Sequence, residues 1–397
     1  MSTNTASMAP PTATVGIIGG GQLARMTQQA AIALGINVRV LTPDPDAPAV
    51  NAGATHHPGH HGDLEDLQVF ARGCDVVTLD HEHTPNQHLH ALDQAGHRLL
   101  PNPHAAAMAH DKVLARRTLR AAGFPVPDFV EVPAGDHAAV DAFASSHGWP
   151  LVLKAPTGGY DGRGVEILTS PGDLRTSPLG ATLDRWLIEA AVPIATELSV
   201  LVARRPSGWW QTYPVIETFQ HDGICRELLM PARISDHDAH QAVRLATSIA
   251  NGLDIAGILA VELFLTPTGD LLINELATRP HNSGHATIDA TITSQFENHL
   301  RGVLDWPLGA TDLHRPAAAT VNLLGPDHAV DLARTLPAAL DDPAVRIHLY
   351  RKAPVPGRKL GHVTAHGDNA AAAFESARRA ARVLLHPCAD RHRALSC

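Results

Sequence analysis

The stretch KAPTGGYDGRG, Lys154–Gly164, is the one on which the reading of this chain turns. Four glycines, Gly158, Gly159, Gly162 and Gly164, fall within seven positions. Such a loop turns several backbone N–H groups toward one anion, because glycine tolerates the positive φ this requires. Lys154 stands at its start and offers a point charge to a phosphate. The flanking runs PLVLKAP and GVEILTS read as strands. No G-K-[ST] helix follows, so this is not a Walker A loop. The plainer alternative is a flexible hairpin tip, but Tyr160, Asp161 and Arg163 make it rich for a passive turn.

Downstream, AVELFLTPTGDLLINELATR, Ala260–Arg279, reads as a hairpin turning at PTGD. Pairing Thr266 with Leu271 puts Phe264 opposite Ile273 and Glu262 opposite Glu275, with Cβ atoms ~4.5–5.5 Å apart. Carboxylates that close repel unless a cation lies between them or a proton is shared. Oxygen donors favour Mg²⁺, which commonly takes one or two carboxylates plus substrate phosphates. Asn274 adds an oxygen nearby. A solvated edge hairpin is the alternative.

Three further stretches carry polar chemistry. RPHNSGH, Arg279–His285, is dense in anion donors: Arg279, His281, Asn282, Ser283 and His285. Pro280 and Gly284 argue against the helix that would make His281 and His285 a metal pair, so an anion pocket is the reading. YRKAPVPGRKLGH, Tyr350–His362, brackets a Pro/Gly turn with Arg351, Lys352, Arg358 and Lys359. In an acidic protein such a local basic cluster suits a phosphate, a solvated hairpin tip being the alternative. IEAAVPIATELSV supplies Glu189, Val192 and Glu197 for an adenine and a ribose; a buried strand with two surface glutamates would look the same.

The N-terminal quarter carries a competing signal. GIIGGGQLARM, Gly16–Met26, contains G-x-G-x-x-A at Gly19, Gly21 and Ala24, and Asp44 follows twenty residues after Ala24. Alone, this is the pattern of an NAD site. Residues 14–103 alternate strand and helix signals as βαβαβ, a parallel, Rossmann-like unit. From there the chain reads as α+β with hairpins, which is not how the second half of a dehydrogenase usually reads. The segment HAAAMAHDKVLARRTLRAAG is read as one helix ending at Gly123, and the region from about 316 as strand-rich with a final Ala/Arg helix. The division is therefore a lead-in over 1–13, a Rossmann-like domain over 14–103, a nucleotide domain over 104–315 and a strand-rich domain over 316–397.

Composition narrows the function classes. The chain has 397 residues, 44% of them hydrophobic, and a formal net charge of -9. A broadly basic nucleic-acid surface is not expected. No apolar run reaches the ~20 residues of a membrane span, and MSTNTASMAPPTA has neither the basic region nor the apolar core of a signal peptide. Four cysteines without a C-x-x-C pair suit a reducing cytoplasm. THHPGHHGD holds His56, His57, His60 and His61; it is either a metal site or, more plainly, a polar loop.

Taken together and in this order, GGGQLARM, TGGYDGRG, ELSV, NELATRPHNSGH and PGRKLGH resemble the ATP-grasp enzymes, and more narrowly the 5-(carboxyamino)imidazole ribonucleotide synthases of purine biosynthesis. The resemblance runs from about residue 14 to 385. It implies an ATP-grasp fold with an N-terminal pre-ATP-grasp domain. It implies ATP contacts from Lys112, Lys154, Gly158, Gly159, Tyr160, Asp161, Gly162, Arg163, Gly164, Glu189, Ala190, Ala191, Val192, Glu197, Gln220, Asn274 and Glu275, and Mg²⁺ on Glu262 and Glu275. The first βα turn then holds aminoimidazole ribonucleotide rather than NAD, through Gly21, Gln22 and Leu23, with Asp80 or Glu82 nearby. Asp44 then has no ribose to bind. Lys352 and Arg358 would meet the substrate phosphate. Tyr160, Asp161, Arg279, His281 and Asn282 would surround the bicarbonate-derived group and the imidazole, and a homodimer is implied. The chain departs from the family pattern at Ala155-Pro156, Thr278, Asp80, Lys112 and Gln220. A formate-using ATP-grasp ligase and a non-catalytic nucleotide-binding relative are the rival readings.

Overall fold

The computed structural model describes residues 13–159 and 162–386. Tyr160, Asp161 and nearly all of the lead-in lie outside the described residues. The chain divides after Pro103 into two compact units.

The first unit runs β1 (Thr14–Ile18), α1 (Gln22–Leu34), β2 (Asn37–Leu41), β3 (Thr55–His57), α2 (Leu64–Ala71), β4 (Val76–Leu79) and α3 (Asn86–Gln94). Its strands form one parallel sheet in the order β3-β2-β1-β4. The runs TVGII and VVTL are buried almost throughout, as strands covered on both faces must be. Helix α1 stops at Gly35, whose φ of 65° makes it a left-handed cap. Asp63 caps α2 by accepting from the N–H groups of Glu65 and Asp66.

The second unit begins with α4 (Pro103–His110), α5 (Lys112–Ala121), β5 (Phe129–Pro133), α6 (His137–His147), β6 (Leu151–Lys154), β7 (Val165–Leu168), α7 (Pro171–Thr176) and β8 (Arg185–Ala190). Strands β5-β8-β6-β7 form a small antiparallel sheet, with a core of Val140, Leu151, Leu153, Trp186 and Ile188. The single helix expected before Gly123 is two. Asp111 interrupts it, because its carboxylate accepts from the N–H groups of Val113 and Leu114 and so caps α5.

The chain continues with β9 (Thr196–Arg204), β10 (Trp210–Thr212), β11 (Ile216–His221), β12 (Ile224–Met230), α8 (Asp236–Gly252), β13 (Gly257–Leu265), β14 (Leu271–Ala277), α9 (Thr287–Ala290) and α10 (Gln295–Val303). It ends with β15 (Ala317–Leu324), α11 (Leu332–Ala339), β16 (Val345–Leu349), β17 (Lys359–Gly367) and α12 (Ala370–Leu385). A large sheet has the order β14-β13-β9-β11-β12-β15-β17-β16, with β10 added on β9. Helix α8 buries Ala242, Ala246 and Ile249 against Val200, Val202, Val261 and Leu263. Each fully buried aliphatic side chain of Ile or Leu size contributes roughly 1.5–3 kcal/mol. Helix α12 covers β15 and β17 in the same way through Ala373, Ala377 and Leu384.

Candidate active site

The hairpin β13–β14 brings Glu262 opposite Glu275, as expected, but by a different register. Thr266 N–H donates to the Asp270 carbonyl across a turn with Gly269 at φ 88°. Leu265 rather than Thr266 therefore faces Leu271, Phe264 faces Leu272, and Leu263 faces Ile273. A bulge then inserts Asn274 as an extra residue before Glu275. In β14, Leu271, Ile273 and Leu276 are buried while Asn274 and Glu275, two successive residues, both stay off the core. That is the device by which a bulge re-aims side chains beside a site.

Asn274 uses the bulge fully. Its side-chain oxygen accepts from Lys154 Nζ at 3.1 Å, and its main-chain carbonyl accepts from Arg116 at 2.8 Å. Both cations also meet Glu189: Lys154 Nζ at 2.8 Å and Arg116 Nε at 2.6 Å. Glu189 is 2% exposed and Lys154 7%. Burial pushes the Glu189 carboxyl up, but the two cations overcome this and hold it near 2. For Lys154 burial is the stronger influence and draws the ammonium below its ordinary value. Glu189 is thus a buried anchor between strands, not an exposed group.

Lys112, at the start of α5, reaches Glu275 at 3.0 Å. Burial, then Glu275 and Glu197, push the Glu262 carboxyl up to about 8, against the pull of Lys112 and Lys359. His281 Nε2 lies 3.6 Å from Glu262. Its Nδ1 is 2.8 Å from the Ser283 hydroxyl, which in turn meets Ser199 at 2.7 Å. Burial, then Arg279 and Lys359, lower His281 to about 3, so a neutral imidazole faces Glu262. Arg279 bonds the Pro280 carbonyl, and Asn282 opens a short 3₁₀ turn. Burial pushes Glu197 up, while Gln220, two residues along β11 from its register partner Thr218, holds it back with a hydrogen bond.

The glycine loop leaves β6 with Gly158, Gly162 and Gly164 all at φ between 75 and 80°. A Cβ on Gly162 would stand 2.9 Å from the Gly223 backbone, so the loop touches the β11–β12 turn where no side chain fits. Ala190, Ala191 and Val192 lie half-buried where β8 ends.

Residues 12–110 match the ribonucleotide synthetase preATP-grasp domain, 117–296 the ATP-grasp domain, and 318–376 the phosphoribosylaminoimidazole carboxylase C-terminal domain. The N5-carboxyaminoimidazole ribonucleotide synthase of Mycobacterium tuberculosis is 46% identical, over 94% of this chain and 88% of that one. That of Corynebacterium ammoniagenes is 40% identical, over 94% and 92%. The chain belongs to the N5-carboxyaminoimidazole ribonucleotide synthase family. A solved Aspergillus clavatus synthase, in complex with ADP and 5-aminoimidazole ribonucleotide, superposes with a TM-score of 0.86 at 32% identity, over 94% of this chain and 99% of that one.

In this synthase the first unit's glycine turn is not an NAD cradle. Asp80, at the end of β4, accepts from Gly21 N–H at 2.6 Å and Ala24 N–H at 3.0 Å. A carboxylate thus occupies the helix N-terminus where a pyrophosphate would sit. Gln22 and Glu82 are half-buried, and Leu23 is in the core. Asp44 accepts from the N–H of Asp46 in its own turn. In the His-rich segment, His56 meets the Thr42 carbonyl, His57 meets Arg39 and His60 meets Gly62 N–H. Lys352 lies over the Tyr350 ring, and Arg358 is exposed on the turn before β17.

Two residues escaped the sequence reading. Arg116 stands one helical turn beyond Lys112, a spacing that puts both on one face of α5. Lys359 sits in sequence within a basic cluster, yet it is buried and acts on Glu262, His281 and His285.

Proposed function

We propose that this chain uses ATP and bicarbonate to carboxylate the exocyclic amine of 5-aminoimidazole ribonucleotide, giving N5-carboxyaminoimidazole ribonucleotide, ADP and phosphate. A bicarbonate oxygen attacks the γ-phosphorus and the bond to the β-phosphate oxygen breaks, leaving ADP and carboxyphosphate. The amine nitrogen then bonds the carboxyl carbon, directly or after release of CO₂; phosphate leaves and the amine gives up a proton. The observation that carries this reading is the Glu262–Glu275 pair set beside Lys112, Lys154, Asn274 and His281.

Mg²⁺ fits that pair. The donors are oxygens, and a cation between them would offset both the burial and the like-charged neighbours that push the Glu262 carboxyl up. Glu262 and Glu275 would hold the ion, whose chemistry is to neutralise charge on the nucleotide phosphates. Lys154 and Arg279 offset charge on the transferring phosphoryl group, and Glu189 and Asn274 fix Lys154 in place. Gly158–Gly164, with Tyr160, Asp161 and Arg163, closes over the phosphates and excludes water from the labile acyl phosphate. Lys112, Ala190–Val192, Glu197 and Gln220 serve the nucleotide. Gly21, Gln22, Leu23, Asp80 and Glu82 serve the aminoimidazole ribonucleotide, Lys352 and Arg358 its phosphate, and His281 and Asn282 the bicarbonate-derived group.

We assign 14–103 to substrate, 104–315 to ATP and 316–397 to the strand-rich domain. A homodimer, testable by light scattering, and a cytoplasmic setting follow the family. Among the described residues no helix is long and apolar enough to cross a membrane. The deciding assay is ADP release from Mg-ATP and bicarbonate, with and without aminoimidazole ribonucleotide. Strong, bicarbonate-dependent stimulation is expected. Activity with formate and glycinamide ribonucleotide instead would change the substrate. No turnover with either would leave a nucleotide-binding protein without catalysis.

A further inference from the structure

Away from the carboxylate pair, three side chains from three elements converge. Asp289 is on α9, and His348 and His362 face each other across β16 and β17 as direct register partners. Each offers one ligand atom, and the three atoms lie within 4.8 Å of one another. His348 Nε2 is already 2.8 Å from Asp289 Oδ2. His362 is fully buried; its Nδ1 is 2.7 Å from the Tyr350 hydroxyl, and its Nε2 has no hydrogen-bond partner among the described residues. A buried polar atom left unpaired is costly and calls for an explanation.

We propose that Asp289, His348 and His362 form a binding site for a zinc-class divalent metal ion. Two imidazoles and one carboxylate, with a water in the fourth position, are a donor set that suits zinc and not magnesium. The Tyr350 hydroxyl plays the part of the outer partner that fixes a ligating histidine: with Nδ1–H donated to it, Nε2 keeps its lone pair for the ion. The two rings lie face to face, centroids 4.6 Å apart and planes 18° apart. Binding turns them from this stack toward a common point, drawing the three ligand atoms in to the ~3.3 Å separations that bonds of ~2.0–2.1 Å require. The ion then pins the β16–β17 hairpin, whose second strand begins at Lys359, to the short helix that follows Arg279–His285. It acts as a staple between the basic and the histidine-bearing segments of the site.

The test uses full-length protein stripped with a chelator and saturated with Mg²⁺ to occupy the carboxylate pair. Zn²⁺ is titrated by calorimetry, and thermal melting is recorded with and without it. One tight equivalent that raises the melting temperature is expected. His348→Gln and Asp289→Asn should each weaken it at least ~100-fold while melting like the metal-free parent; both side chains are partly exposed, so both variants fold. A His60→Asn/His61→Asn double variant should keep the equivalent. No tight equivalent in the parent protein overturns the proposal, and so does one retained in His348→Gln or lost with His60 and His61.

Discussion

At Gly19–Gly21 the chain fills its own anion site: Asp80 bonds the N–H groups of Gly21 and Ala24 at the start of α1. At Gly158–Gly164 no helix follows the glycines, and the charge that the strand before them delivers is Lys154, held between Glu189 and Asn274. The two turns share a composition and differ in sign. Glycine content alone therefore says that backbone approaches something closely. What it approaches is decided by the side chain delivered from the neighbouring strand, an acid from β4 in one case and a lysine from β6 in the other.

The contrast is broken most severely at the second turn's metal side. Glu275→Ala should lower ADP release by about three orders of magnitude with the melting curve nearly unchanged; near-normal turnover would remove the carboxylate pair from the mechanism. Glu189→Ala leaves two buried cations without their shared anion, and urea unfolding should register a loss of about 3–5 kcal/mol. A change below 1 kcal/mol would mean that water reaches Lys154 and Arg116.

Acid sharpens the same point. Glu189 sits near 2 in the folded protein against its usual 4.5. Its folded value is the lower one, so its contribution is complete above about pH 4.5 and is lost as pH falls toward 2. Unfolding free energy measured between pH 6 and 3 should fall less steeply in Glu189→Gln than in the parent. The smallest effect belongs to the first turn. Asp80→Ala removes the acceptor at the start of α1 and should cost about 1–2 kcal/mol, with NADH binding absent both before and after. NADH binding by the parent protein would undo the comparison.

Particular residues show what was legible in the sequence. The parallel first sheet and the α1 and α6 boundaries follow from apolar runs and caps that act locally, at Gly35, Asp136 and Gly148. The break at Asp111 was equally local but masked by the strong helix formers around it. The Glu262–Glu275 pairing was readable, its register was not: a period-two reading has no place for Asn274. The clue was the inward spacing, two from Leu271 to Ile273 and then three from Ile273 to Leu276. Arg116 and Lys359 stayed hidden because their partners are 73 or more residues away in sequence.

That extra residue has a meaning for how the hairpin can change. Deleting Asn274 would restore strict alternation, with Glu275 still opposite Glu262 and Leu276 still inward. The strand would be shorter by one codon and no less regular. What would vanish is the amide oxygen on Lys154 and the carbonyl on Arg116. The acidic pair thus belongs to the hairpin's pairing, while the hold on the lysine belongs to the one extra residue in its second strand.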